Sequence, residues 1–276
     1  MGKEHSRRSW AIITSDSNHR LAKPVIVLTF LRMHPRSSQP INTGPDVQAG
    51  PVEQHLRDAQ PKTLQTWCYA SLALIQGTIA IVFAIHASAP RLPWLLTAIV
   101  ALSLSFDNAV MASGERLVTR NLLSLFSKVR YWLHIVITPF LLPLTMQLAI
   151  AGGQTLEKSS IILTWALTLL WSAAGWWIGF RHIELITRHE GSIVFQKNIN
   201  RSGQPWLDLL YAVLVIIILI TACLSPSTTI RQALLTGGLG MLIGESLVKR
   251  WGRLCSNLGE LVLLGGFAFA VWQVFG

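Results

Sequence analysis

The chain has 276 residues, 51% of them hydrophobic and only 13% charged. Soluble domains average about 25% charged residues, so an ordinary soluble globule is excluded and a polytopic membrane protein is indicated. The formal charge of +10 does not argue for nucleic acid, because the basic residues flank apolar runs, as topology signals do.

Residues 1–62 are polar, basic on balance and rich in Pro and Ser, and read as a disordered basic cytosolic tail. The apolar stretch Pro24–Leu31 is too short to span a membrane. A targeting peptide and a true start at Met33 both stay open. A membrane domain is expected over 63–276, with apolar segments at 66–87, 93–113, 131–152, 159–180, 207–224, 229–248 and 257–275. Each is near the roughly 17–25 residues that a spanning helix needs. The expected fold is therefore all-α, a polytopic bundle of seven transmembrane helices. Trp67, Trp94, Trp132, Trp176, Trp177, Trp206 and Trp272 stand near segment ends, as an aromatic belt would. Pro93 and Pro205 suit helix starts, while Pro139 and Pro143 predict a break inside the third segment.

With seven spans, the 23 Lys and Arg residues segregate strongly. Only Arg91, Lys158 and Arg231 fall on one side, which places the N-terminus in the cytoplasm and the C-terminus outside. Between the second and third spans, Val118, Leu122, Leu125, Phe126 and Val129 recur at helical spacing among Arg116, Arg120, Lys128 and Arg130. That pattern reads as an amphipathic helix on anionic lipid at the inner surface, or as an extension of the second span.

The second span holds the deepest acid, Asp107, roughly 20 Å along the helix from Trp94 at ~1.5 Å per residue. A carboxylate there costs at least about 2.5–3.5 kcal/mol to insert and must face protein or water. Ser103 shares its helix face, and Asn108 and Ser105 add oxygen donors, a set suited to a hard cation or a proton. The alternative is that Asp107 and Asn108 hydrogen-bond helices together.

Three further acids belong to the cytoplasmic half. Asp208 lies in a first helical turn, where the dipole favours an anion. Glu245 can pair with Lys249, and Glu260 follows Asn257 at capping-box spacing. Gly237, Gly238, Gly240, Gly244, Gly265 and Gly266 predict close packing of the last two spans. Gly114–Arg120 matches Gly244–Arg250 at five of seven positions, a candidate trace of two half-repeats. His86, His134 and His182 lie at membrane edges, but the chain carries no HxxHH, HExxH or CxxCH motif and no nucleotide loop or protease constellation. Cys68, Cys223 and Cys255 form no CxxC pair. Neither an enzyme nor a bound cofactor is expected.

Leu104-Ser105-Phe106-Asp107-Asn108-Ala109-Val110 resembles the Ser-x-Asp-Asn signature of TerC-like membrane proteins, which belong with the lysine-exporter superfamily. The Gly-rich, basic-ended stretch from Gly240 to Arg253, with Leu258–Gly266 after it, is similar to the terminal hairpin of manganese exporters in that superfamily. The resemblance implies a helical bundle, an acid-lined site between half-repeats and export of a metal ion. Asp107 and Asn108 carry over directly, whereas the segment around Asp208 keeps the acid but lacks the flanking serine.

The expected function is transport of a divalent cation such as manganese or calcium, exported or exchanged for protons. Its metal site would comprise Asp107, Asn108, Ser103, Ser105, Asp208, Glu245 and Glu260, with Asp107 and Asp208 approaching each other. The alternative is a membrane scaffold or assembly factor that binds a partner or anionic lipid through its basic cytosolic face.

Overall fold

The computed structural model describes residues 63–87, 91–181, 183–190, 193–198 and 204–276. All belong to the unit Ala49–Gly276. The segment expected as a cytosolic tail, 1–62, lies outside the described residues.

The helices are α1 (Thr63–His86), α2 (Arg91–Ala112), α3 (Gly114–Thr119), α4 (Leu123–Ile137), α5 (Leu141–Ala151), α6 (Lys158–Arg181), α7 (Gln204–Leu224), α8 (Thr228–Trp251) and α9 (Leu254–Phe275). Among the described residues, five stretches are long and apolar enough to cross a membrane: Leu64–His86, Leu92–Ala112, Leu123–Ala151, Lys158–Trp177 and Leu254–Phe275. The chain is thus a largely helical membrane protein. In α7 the described apolar stretch, Leu209–Leu224, is shorter, and α8 is interrupted by Arg231, Glu245, Lys249 and Arg250.

The third apolar stretch breaks where proline requires it. α4 ends at Ile137, a single 3-10 turn runs over Thr138–Phe140 with Pro139 inside it, and α5 follows. Proline lacks the N–H that would continue the α ladder.

Two expectations need correction. The fold is not purely helical, because Leu185–Glu190 (β1) and Ile193–Asn198 (β2) pair as an antiparallel hairpin, from Leu185 opposite Asn198 to Glu190 opposite Ile193. Residues 114–130 do not form one amphipathic helix either. Asn121 adopts a left-handed conformation, φ 56°, which separates α3 from α4 and starts the third apolar helix at Leu123 instead of 131. Asparagine tolerates that region better than most residues.

The pairs α1–α2, α4–α6 and α8–α9 run antiparallel, with Val136 beside Ser172 and Trp132 beside Trp176 in the second and Ala233 beside Gly266 and Cys255 beside Gly244 in the third. At one end, Tyr69 and Leu72 of α1 and Met111 of α2 pack with Ile193 and Phe195 of β2, backed by Leu254 and Leu261 of α9. At the opposite end, Phe83 and His86 of α1 meet Trp94 of α2 and Trp272 of α9, with His86 stacked on Trp94 at 5.4 Å. Trp94, near the start of α2, is buried against these neighbours, with 1% exposed. Also at that end, the turn after α5 meets the α7–α8 turn, and a Cβ at Gly152 would lie 3.0 Å from Ile230 and from Ser225.

The tightest helix pair is α8 with α9. Gly252, at φ 85°, turns the chain between them in a conformation that favours glycine. The two backbones then nearly touch: a Cβ at Gly266 would sit 2.4 Å from the Ala233 carbonyl oxygen, and one at Gly244 would sit 2.6 Å from that of Cys255. Gly265 does not belong to this contact, since a Cβ there meets nothing within 4 Å.

Candidate functional site

The buried polar groups of the bundle converge where α2 meets α1, α4 and α9. The 22 residues of α2 are mostly apolar, so Asp107 and Asn108 must find partners on neighbouring helices. Asn108 is fully buried. Its Nδ2 donates to Gln76 Oε1 on α1 at 2.8 Å and to the Leu104 carbonyl at 3.1 Å. Its Oδ1 accepts from Asn257 Nδ2 on α9, also at 2.8 Å. Asn257 Nδ2 lies 3.3 Å from Asp107 Oδ2 as well.

Asp107 faces a permanent cation. Arg130 Nε stands 3.1 Å from Asp107 Oδ1, as an ion pair without the alignment of a hydrogen bond. The Arg130 side chain is 4% exposed and that of Asp107 20%. Arg130 Nη1 donates to Met111 Sδ, and its guanidinium lies 4.8 Å from the centre of the Tyr131 ring. One turn along α4, His134 Nε2 is 3.9 Å from Glu260 Oε1 on α9, and its ring meets that of Tyr211 on α7 edge-on. Glu260 Oε2 is buried without a hydrogen-bond partner among the described residues. Asp107 and Glu245 both lie within electrostatic reach of Glu260, and Ser256 Oγ donates to Glu245 Oε1.

Asp107, Asn108, Glu245 and Glu260 therefore share one region. Ser103 is buried on α2 one turn before Asp107. Ser105 turns away, donating to the Ala73 carbonyl on α1 at 2.7 Å. A residue two positions from Asp107 on a helix points to another face, so Ser105 serves the α1–α2 contact. The Asp208 side chain lies outside the described residues, and the expected Asp107–Asp208 approach with it. α7, which carries Asp208, packs mainly on α8 and α6's neighbour α5, whereas α2 packs on α1, α4 and α9. Among the described residues, no three of His, Cys, Asp and Glu are grouped so as to hold a metal ion.

Sequence reasoning missed Arg130, Gln76 and Asn257. Arg130 was counted among loop cations but is buried in the bundle. Asn257 was read as a helix cap, yet α9 begins at Leu254 with Arg253 at the cap position, so the amide is free to cross to α2. Gln76 is the one side-chain amide in the first apolar segment, a signal that was legible.

The amide triad predicts a stability effect. Asn108→Ala leaves Gln76 Oε1 and Asn257 Nδ2 without this buried partner and should cost about 1–3 kcal/mol, read as a lowered unfolding midpoint in detergent. An unchanged midpoint would remove the triad from the contacts that hold α1, α2 and α9 together.

No protein-family model matches the chain, and no curated protein matches it.

Proposed function

We propose that the chain is a seven-span membrane carrier that exchanges a divalent metal cation, such as manganese or calcium, for protons, with Asp107 as the carboxylate the cation reaches. The observation that carries this reading is the charge balance around Asp107. Among the described residues, two carboxylates from two helices, Asp107 and Glu260, lie with one permanent cation, Arg130, and a histidine, His134, and Glu260 Oε2 is buried without a hydrogen-bond partner there. Carboxylates in excess of fixed counterions inside a membrane call for protons or a mobile cation. In the arrangement described above Arg130 occupies the cation's place beside Asp107, and loading replaces it. The Ser-x-Asp-Asn resemblance to TerC-like exporters supports the same residue. Growth on a panel of metals tests the proposal. Wild type should change tolerance to manganese or calcium relative to a strain lacking the protein, and Asp107→Asn should behave like the deletion. Equal behaviour of wild type and Asp107→Asn would contradict it.

In this reading α7 and α8 complete seven spans, with the hairpin end cytoplasmic and Gly276 outside. The antiparallel pairs α1–α2, α4–α6 and α8–α9 support it, as does the placement of Arg116, Arg120, Lys128, Arg250 and Arg253 toward the hairpin end and of Lys158 and Arg231 toward the other. Tags at the two termini should show opposite accessibility in intact cells, and finding both on one side would contradict the seven-span arrangement.

A second reading, a non-transporting scaffold, is favoured by one observation: every hydrogen bond of the Asn108 amide joins helices or returns to its own backbone. Such a network is what structural glue requires. A scaffold would tolerate Asp107→Asn.

A further inference from the structure

We propose that the β1–β2 hairpin is a removable cover over the inner face of the Asp107 site, and that two of its attachment points, Met111 and Tyr131, are the neighbours that hold Arg130 on Asp107. The role given to its removal rests on the transport reading above, whereas the cover itself does not.

Strand β2 is seated on the bundle. Ile193, Val194 and Phe195 are all buried, and Ile193 and Phe195 pack with Tyr69, Leu72 and Met111. The contact depends on a glycine at the start of α3, because a Cβ at Gly114 would lie 1.7 Å from the Val194 carbonyl oxygen. The Arg253 guanidinium lies 4.8 Å from the Phe195 ring centre. From α4, the Tyr131 hydroxyl donates to the Gln196 carbonyl at 3.1 Å and accepts from the Asn198 N–H at 3.3 Å. Tyr131 thus ties β2 down like an additional backbone partner.

Beneath the hairpin is a small cavity lined by Gln65, Tyr69, Met111, Ile193 and Phe195. Gln65 Oε1 is buried there with no hydrogen-bond partner among the described residues. The cavity, about 10 Å³, is no larger than a single water needs, and the Gln65 amide oxygen is a polar group beside it. Its floor is Met111, whose sulfur accepts from Arg130.

Two of these attachments touch Arg130. Met111 contacts β2 and Arg130 together, and Tyr131 holds β2 while its ring lies against the guanidinium. Lifting β2 removes the packing that fixes Met111 and the hydrogen bonds that fix Tyr131. Arg130 then loses two of the contacts that orient it, and the Asp107 carboxylate opens toward the face that β2 had covered. Opening the cover and freeing the carboxylate are in this way one event.

The test reads access and needs no substrate. In full-length protein with Cys68, Cys223 and Cys255 replaced by Ser, a Ser103→Cys probe sits one turn beyond Asp107, and a Thr97→Cys probe sits toward the far end of α2. Inside-out vesicles are treated with a small, charged methanethiosulfonate reagent. Adding Tyr131→Phe or Phe195→Ala should speed labelling of the Ser103→Cys probe about tenfold, the factor expected from one or two lost hydrogen bonds, and should leave the Thr97→Cys probe unchanged. Tyr131→Phe removes only the hydroxyl and keeps the ring, so it stands if Phe195→Ala misfolds. Unchanged labelling at Ser103→Cys overturns the cover, as does equal acceleration at both probes, which marks general loosening of the bundle. Faster labelling in a protein that moves no cation keeps the cover and removes the transport reading.

Discussion

Arg130→Ala is expected to lower the stability of the detergent-solubilised protein by about 3–5 kcal/mol, the usual cost of removing one partner from a buried ion pair. The arginine is 4% exposed and the aspartate 20%, so the remaining carboxylate would be largely cut off from water. Partial exposure of Asp107 places the effect toward the lower end of that range. Asp107→Asn in the same protein should recover most of the loss, since the double variant leaves no uncompensated charge. Asn257 Nδ2 can still reach the new amide oxygen, because it already lies 3.3 Å from Asp107 Oδ2. Unfolding curves of wild type, both single variants and the double variant form the cycle that isolates the pair. Equal midpoints for Arg130→Ala and the double variant would show that the pair contributes nothing beyond the arginine's own packing.

The second large effect belongs to the α8–α9 contact. Gly266→Leu places a side chain where even a Cβ would sit 2.4 Å from the Ala233 carbonyl oxygen. The obstruction is backbone, so no rotamer change relieves it and the helices must separate. Overpacking typically costs about 1–3 kcal/mol, and a branched side chain against backbone should reach the top of that range. Gly265→Leu is the internal control, because the same helix position one residue earlier opens onto free space. Thermal unfolding should show a marked fall for Gly266→Leu and little change for Gly265→Leu. Similar falls for both would mean that the cost is one of glycine replacement in general and not of this contact.

Much of the helical framework was legible because a spanning helix advertises itself by length and apolar composition. The segment predicted at 93–113 appears as Arg91–Ala112, and that at 257–275 as Leu254–Phe275. The break at Pro139 and the glycine contact of α8 with α9 were legible for equally local reasons, a missing N–H and a missing side chain. The hairpin had a local signal too, since Leu-Ile-Thr-Arg-His-Glu and Ile-Val-Phe-Gln-Lys-Asn flank Gly191-Ser192, a pattern suited to a two-residue turn. Its basic residues, Arg188 and Lys197, give the same segment the charge pattern of a cytosolic loop. Arg130 is not distinguishable by charge alone, because a basic residue at a helix edge looks alike in sequence whether it snorkels to water or turns inward to a carboxylate. Which of the two it does depends on Asp107, 23 positions earlier, and that pairing exists only once α2 and α4 pack. Asp107 itself stood out, but the partners it meets belong to other helices and have no fixed spacing from it.

The most direct measurement of the transport site is cation flux in proteoliposomes with a pH-sensitive dye inside. Purified wild-type protein should carry manganese or calcium down an imposed gradient and move protons in the opposite direction, while Asp107→Asn, reconstituted to the same density, should abolish both signals. Flux of the cation by Asp107→Asn at the wild-type rate would contradict the assignment of Asp107 as the carrier's binding carboxylate.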